Sequence, residues 1–298
     1  MTFASVSFVP ASFLSGYDAG FQNLVHIWLN LAAFVVIVTF IVSELTRNYS
    51  QVDKLWSLMP IAYSWITVSL FPSPRLLIMA SLVTFWGIRL SYNFYRKGGY
   101  SIIPWKGEED YRWKILRETP VLKGRLRFGL FNLLFISFYQ NLLILLFSTP
   151  LLMATLYADV PLSLIDIIAA TLMLLFIITE TIADNQMYRF QKDKRTRVAE
   201  DNVNTDSPEK GFLTKGLWKY VRHPNYASEQ AIWISFYLFG VAASGSWINF
   251  TLAGPVLLVI LFIGSSVMTE KVSSSKYPEY SLYKKEVPKF IPRILRRK

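Results

Sequence analysis

The 298-residue chain contains no cysteine, which excludes disulfides, thiolate nucleophiles and cysteine-based metal sites while fixing no compartment. His26 and His223 are its only histidines, so a histidine-rich metal centre is excluded as well and no metal is expected. Charge is scarce: Asp, Glu, Lys and Arg supply 17% of the residues, against 53% hydrophobic and 16% aromatic. With a mean hydropathy of +0.34, that is too little charge for an ordinary soluble globule of this size. Neither a G-x-G-x-x-G after a strand nor a G-x-x-x-x-G-K-[ST] occurs, so neither soluble nucleotide-binding fold is indicated. No Ser or Asp has a spacing that specifies a hydrolase triad. Residues 1–21 hold no Lys or Arg, so the basic start of a cleavable signal peptide is missing. The apolar block near Leu24 is therefore expected to be a retained span.

What the chain does have is long uncharged apolar blocks, at about 24–43, 55–71, 76–95, 128–153, 162–182, 230–247 and 252–268. Most approach the twenty residues that a helix needs to cross the hydrocarbon core. The second is short and carries Pro60, which a membrane helix tolerates when its neighbours satisfy the freed carbonyl. The expected fold is all-α: a polytopic membrane protein of about seven transmembrane helices forming one integral membrane domain over 1–298. Within it, 1–127 holds spans one to three and a basic loop, and 128–298 holds the rest.

The formal charge of +11 is distributed as topology demands. Lys and Arg bunch in 97–127, 186–222 and 271–298, whereas 148–163 and 241–249 contain neither. By the positive-inside rule the N-terminus lies outside the cytosol and the C-terminus inside. The same distribution argues against nucleic acid as a partner. The expected location is a multi-pass membrane, the endoplasmic reticulum rather than a bacterial inner membrane.

Polar chemistry collects on the cytosolic side. The stretch Lys215-Gly216-Leu217-Trp218-Lys219-Tyr220-Val221-Arg222-His223-Pro224-Asn225-Tyr226-Ala227-Ser228-Glu229 gathers His, Asn, Tyr and Glu around one proline, just before an apolar run. Polar groups at the mouth of a membrane helix are expensive to desolvate and usually mark a site. Pro224 suits a first helical turn, and Asn225, Tyr226 and Glu229 then share one face. Glu180, Asp184 and Tyr188 recur every four residues at the end of span five, followed by Arg189, Lys192, Lys194, Arg195 and Arg197. Such a basic cluster serves lipid headgroups, topology or a phosphate-rich cofactor equally well. Arg89 lies roughly 10 Å deeper along its helix than Arg96 and needs an acid, for which Asp53, Glu180 and Asp184 are candidates. His223 is read as a general acid or base, a cap or a pyrophosphate donor. The tail carries Tyr277, Tyr280 and Tyr283 at three-residue steps, as an interfacial helix or a lid folding back over a pocket.

The basic-Gly-Leu-Trp-x-Tyr-x-Arg-His-Pro-Asn-Tyr-x-x-Glu segment is followed by an apolar hairpin, Glu270, Lys276-Tyr-Pro-x-Tyr-x-x-Tyr and Phe290-Ile-Pro. Together these resemble the C-terminal domain of the steroid 5-alpha-reductase family. Asp53-Lys-Leu-Trp56, Trp86-Gly-Ile-Arg-Leu90 and Glu109-Asp-Tyr-Arg-Trp113 resemble a broad branch of it. The resemblance implies a helical membrane enzyme that binds NADPH from the cytosol and reduces a carbon–carbon double bond of a lipid- or steroid-like enone. It implies cofactor contacts at Asn225 and Glu229, with Asp184 and Arg189 nearby and Arg222, His223 and Tyr226 lining the same pocket. Steroid reductases polarise the carbonyl with a Glu on span two and a Tyr on span three. Span two here has no Glu, leaving Asp53, Tyr92 and Tyr95 as the candidate catalytic residues. The Arg-His-Pro-x-Tyr motif also resembles isoprenylcysteine carboxyl methyltransferases, which use S-adenosylmethionine, and a non-catalytic lipid-binding relative is the third reading. The implied partners are a hydrophobic lipid-like substrate and membrane lipids.

Overall fold

The computed structural model describes residues 16–199 and 211–293, with the side chains of 197–199 left aside. Most of the 1–21 segment, the loop expected at 202–211 (except Gly211) and the side chain of Arg197 lie outside the described residues. The order of helices is α1 (Ala19–Thr46), α2 (Gln51–Leu55), α3 (Leu58–Leu70), α4 (Pro74–Tyr95), α5 (Tyr111–Glu118), α6 (Arg125–Leu156), α7 (Leu164–Ala199), α8 (Pro224–Ser244), α9 (Ala253–Lys276) and α10 (Tyr280–Glu286). No strand occurs among the described residues. The fold is all-α, as the sequence implies.

Among the described residues, five helices are long and apolar enough to cross a membrane: α1, α4, α6, α7 and α9. That corrects the expectation of about seven spans. The second apolar block is split, because α2 ends at Leu55 and α3 has only 13 residues. At 1.5 Å per residue α3 is about 20 Å long, short of a hydrocarbon core of about 30 Å. The sixth block becomes α8, whose first half carries Asn225, Ser228, Glu229, Gln230 and Ser235. Its Ile232, Trp233, Phe236 and Phe239 are fully buried, so protein rather than lipid covers its apolar surface.

Local chemistry sets the helix ends. Asp18 caps α1 by accepting the Phe21 amide at 2.9 Å, and Arg47 closes it in the left-handed region at φ 58°. Ser73 caps α4 just before Pro74, which occupies the first turn where its missing N–H costs nothing. On α1, Phe21, Leu24, Trp28, Ala32, Val35, Thr39 and Ser43 form the buried stripe at helical spacing. Phe34, Ile37, Ile41 and Leu45 are exposed on its other sides, where an apolar helix of this length meets lipid.

The chain divides into two compact units, 1–170 with 236–255, and 171–235 with 256–298. In the first, Trp28 and Tyr63 pack with ring centroids 4.6 Å apart. A polar seam joins α1 to α6: Asn132 Nδ2 donates to Glu44 Oε1 at 3.0 Å, and Asn141 Nδ2 to Thr39 Oγ1 at 3.3 Å. Between those contacts α6 winds as a π-helix over Asn132–Tyr139, so the wider turn brings Asn132, Ser137 and Asn141 inward together. Gly254 meets the backbone of Leu146 and Phe147 so closely that a Cβ would lie 2.4 Å from Phe147 Cα. A buried ion pair fastens the opposite end of α4: Arg75 Nε donates to Asp166 Oδ1 at 2.7 Å, and its other nitrogens to the Val160 and Pro161 carbonyls. Asp166 also accepts from the amide and hydroxyl of Ser163, so both charges are satisfied.

In the second unit, Phe212, Tyr280 and Tyr283 form a small aromatic core flanked by Tyr277 and Val287. The tail after α9 thereby packs on the segment that precedes α8.

Candidate functional site

The motif around Pro224 is assembled in the second unit on α7. Gln186 accepts the Leu217 amide at 3.0 Å, and the Trp218 indole donates to the Ala183 carbonyl at 3.3 Å. Gly216 sits at φ 62° directly against the Gln186 side chain, where a Cβ would have no room. Tyr283 donates its phenol to the Trp218 carbonyl. Burial holds that phenol above its usual range, so it stays a donor at physiological pH.

Pro224 opens α8, with the Ala227 amide donating to the His223 carbonyl at 2.9 Å. The residues before and after it diverge in role. Arg222 is buried and donates from Nε to Glu270 Oε1 at 2.8 Å, while His223 Nε2 lies 3.1 Å from the same oxygen. Arg222 also donates to the carbonyls of Lys284 and Val287. The Arg222 and His223 amides donate to the Pro288 and Lys289 carbonyls at 2.9 and 3.1 Å. Two residues of the motif thus clasp the C-terminal tail. Glu270 is the hub, with Lys284 and Lys289 a further 3.6 and 4.0 Å from its other oxygen.

After Pro224 the side chains turn to α7. Asn225 Nδ2 donates to Asp184 Oδ1 at 3.3 Å, and its Oδ1 is shielded from solvent without any donor. Glu229, one turn on, accepts the Trp233 indole at 3.0 Å and is buried, as are Asp184 and Glu180. Tyr226 stacks on His223 at 5.3 Å and packs on Phe262 at 4.9 Å, bridging the two sets. Arg189 lies exposed further along α7. Of the seven expected cofactor residues, Asp184, Asn225, Tyr226 and Glu229 belong to the side of the motif that faces α7, Arg222 and His223 turn to the tail, and Arg189 stands exposed further along α7. Their chemistry on the α8 side is acceptor-rich: two carboxylates and an amide oxygen in need of a donor.

The candidate catalytic residues belong to the first unit. Asp53 is half-buried, accepts the Trp113 indole at 3.1 Å, and is held up by burial and by the nearby Asp110 carboxylate. Asp110 is itself pushed up by burial, but Arg112, which donates to it at 2.8 and 2.9 Å, brings it below the usual carboxylate range. Tyr92 and Tyr95 are both exposed on the last turn of α4, with the Arg96 guanidinium 5.6 Å from the Tyr92 ring. The structure does not bring either phenol into contact with Asp53.

Two features were not assigned a role from sequence. Glu270 carried a hint only in its place before the tyrosine-rich tail. Lys54, beside Asp53, is buried and donates to the Pro104 and Lys106 carbonyls at 2.9 and 2.7 Å and to Gln51 at 3.2 Å. It anchors the loop after α4 and has no donor to spare.

A profile described as a protein of unknown function, DUF1295, matches residues 39–287. An uncharacterized protein of Schizosaccharomyces pombe is 36% identical over 296 aligned residues, covering 92% of this chain and 84% of its own length. No solved structure matches the chain. The span matched takes in the Asp53–Trp113 knot, the Pro224 motif and Glu270 together, and the chain belongs to the DUF1295 family.

Proposed function

We propose that this protein is a membrane-embedded reductase that uses NADPH to reduce a carbon–carbon double bond in a lipid- or steroid-like enone. The observation that carries the reading is the buried, donorless Oδ1 of Asn225 between Asp184 and Glu229. A buried acceptor left without a donor loses about 1–3 kcal/mol, so a donor-bearing ligand is favoured there. The carboxamide and ribose hydroxyls of a nicotinamide nucleotide supply such donors, and exposed Arg189 and Lys192 on the same helix suit its phosphates. Asn225, Asp184 and Glu229 would hold the sugar and amide groups, Tyr226 would give an apolar wall, and the cofactor would supply hydride. Arg222 and His223 act from behind, through Glu270 and the tail. Of the groups proposed to polarise the carbonyl, Asp53 is engaged by Trp113, which leaves proton donation to the exposed phenols of Tyr92 and Tyr95.

S-adenosylmethionine is the second reading, because its ammonium and sulfonium cations answer the same carboxylates. Thermal unfolding of the purified protein in detergent separates the two. NADPH at a hundred times its Kd is expected to stabilise the protein by about 2.7 kcal/mol, with no shift from S-adenosylmethionine. The shift is expected to vanish in Asn225→Ala and Glu229→Ala while both variants still insert. Stabilisation by S-adenosylmethionine alone would overturn the reductase, and stabilisation by neither would favour the non-catalytic lipid-binding reading.

A further inference from the structure

A groove of about 1080 Å³ in the first unit lies where α1 and α4 both end, far along the chain from the Pro224 motif. Tyr95, Tyr100 and Trp105 supply aromatic walls, Glu108 a carboxylate and Lys106 an ammonium. Tyr100 is fixed in place: its phenol donates to the Lys54 carbonyl at 2.7 Å and its ring meets Phe94 edge-on at 5.0 Å. The Asn48 amide donates to the Gly107 carbonyl at 2.9 Å and so ties the loop across the end of α1. By contrast the Glu108 carboxylate and the Lys106 ammonium bond to nothing among the described residues, and both are exposed.

Three physical terms in this groove favour a cation with a soft, apolar surface. Aromatic faces attract cations, most strongly those that cannot keep a hydration shell. The C-terminal ends of two helices add partial negative charge from their last carbonyls. Glu108 adds a full one. Lys106, beside Glu108 in the same loop, supplies the opposite charge, so the groove is complementary to a zwitterion rather than to a bare cation.

The loop also says which zwitterion. Between Gly98 at φ 84° and Gly107 at φ 123° it projects Ile102, Ile103 and Trp105, all exposed. An apolar tip flanked by Lys97 and Lys106 at the end of membrane-length helices matches the composition of a lipid interface. We propose that the groove binds the headgroup of a membrane phosphatidylcholine. Tyr95, Tyr100, Trp105 and Glu108 surround the trimethylammonium, Lys106 pairs with the phosphate, and Ile102 and Ile103 lie among the neighbouring acyl chains. The site rests on other observations than the reductase reading and shares with it only Tyr95, one of the two phenols named there, so its test uses Glu108 and Trp105 instead.

Native mass spectrometry of the full chain released from detergent, with phosphatidylcholine, phosphatidylethanolamine or phosphatidylglycerol added, reads the site directly. Phosphatidylcholine is expected to be retained at least roughly tenfold better than phosphatidylglycerol, and better than phosphatidylethanolamine, whose ammonium keeps its hydration. Glu108→Gln and Trp105→Ala, both surface changes, are each expected to lower phosphatidylcholine retention roughly fivefold and leave phosphatidylglycerol unchanged. Equal retention of phosphatidylglycerol, preference for phosphatidylethanolamine, or unchanged retention in both variants would each overturn the proposal. NADPH binding is expected to be the same in Glu108→Gln as in the parent protein, so failure here is distinct from failure of the reductase reading.

Discussion

Glu270→Ala tests whether the clasp between the Pro224 motif and the tail is what holds the tail in place. The substitution leaves the buried Arg222 guanidinium without its 2.8 Å anion and His223 without its 3.1 Å partner. Removing one member of a buried ion pair costs about 3–5 kcal/mol. Lys284 and Lys289 lie 3.6 and 4.0 Å away with partly exposed side chains, so their loss adds little. Arg222 keeps the carbonyls of Lys284 and Val287 as acceptors, which places the expected effect at the lower end, about 3 kcal/mol. At about 1.4 kcal/mol per tenfold, local opening becomes about a hundred times more frequent. The readout is amide hydrogen exchange in the peptide holding Arg222 and His223, whose amides are bonded to the Pro288 and Lys289 carbonyls. Exchange there should accelerate about a hundredfold, and limited proteolysis should cut within the tail first. Glu270→Gln, which keeps an acceptor but not the charge, should fall between. Unchanged exchange in Glu270→Ala would refute the claim that this carboxylate holds the tail.

Asp166→Ala should be destabilising throughout the first unit, since Arg75 is left buried with only two carbonyl acceptors; a loss of about 3 kcal/mol is expected, read as a lower thermal midpoint in detergent. Asp53→Asn should act in the opposite direction and depend on pH. Because the Asp53 carboxyl is held above its ordinary range, its contribution is most favourable below the unfolded pKa of about 3.9 and is lost as pH rises through the folded value. Asn keeps an oxygen for the Trp113 indole and cannot ionise. The variant should match the parent at the acid end and exceed it in thermal stability at neutral pH, and a parent that stays equal to it at neutral pH would show Asp53 to be unstrained as an anion.

Length and hydropathy made the helical class and the positions of the apolar blocks legible, because those depend on composition within one segment. Pro224 at a first turn was legible for the same local reason, whereas the tail was left open between an interfacial helix and a lid, a choice that only its distant contacts to Arg222 and His223 decide. What was not legible is set by contacts between distant residues. The Arg75–Asp166 pair joins positions 91 apart, and His223 meets Glu270 across 47. Lys54 reads as an ordinary loop cation until the carbonyls of Pro104 and Lys106 arrive from some fifty residues on. The count of spans failed because the apolar run after 230 is only part of α8, whose polar first half, with Asn225, Ser228, Glu229 and Gln230, leaves the helix outside the set apolar enough to span. The π-turn over Asn132–Tyr139 left no pattern in sequence, since it exists to aim Asn132 and Asn141 at partners on α1.

The Pro224 motif looks, in sequence, like one set of pocket residues. In the folded chain it is two sets, divided by the proline. Pro224 has no N–H, so the helix begins there, and the backbone before it is free to pair with the tail through the Arg222 and His223 amides. The backbone after it is helical, which turns Asn225 and Glu229 toward α7 at four-residue spacing. Tyr226 connects the halves by stacking on His223. A change of charge at Glu270 therefore reaches Asn225 through only two contacts, the His223 ring and the Tyr226 ring. This arrangement predicts that Glu270→Gln weakens ligand binding at Asn225 without touching the ligand. Positioning by the stacked ring, like an apolar wall, survives wherever the ring survives, whereas a hydrogen bond from the Tyr226 hydroxyl does not. Tyr226→Phe, which keeps the ring and loses only the hydroxyl, should then preserve the NADPH shift that Tyr226→Ala loses.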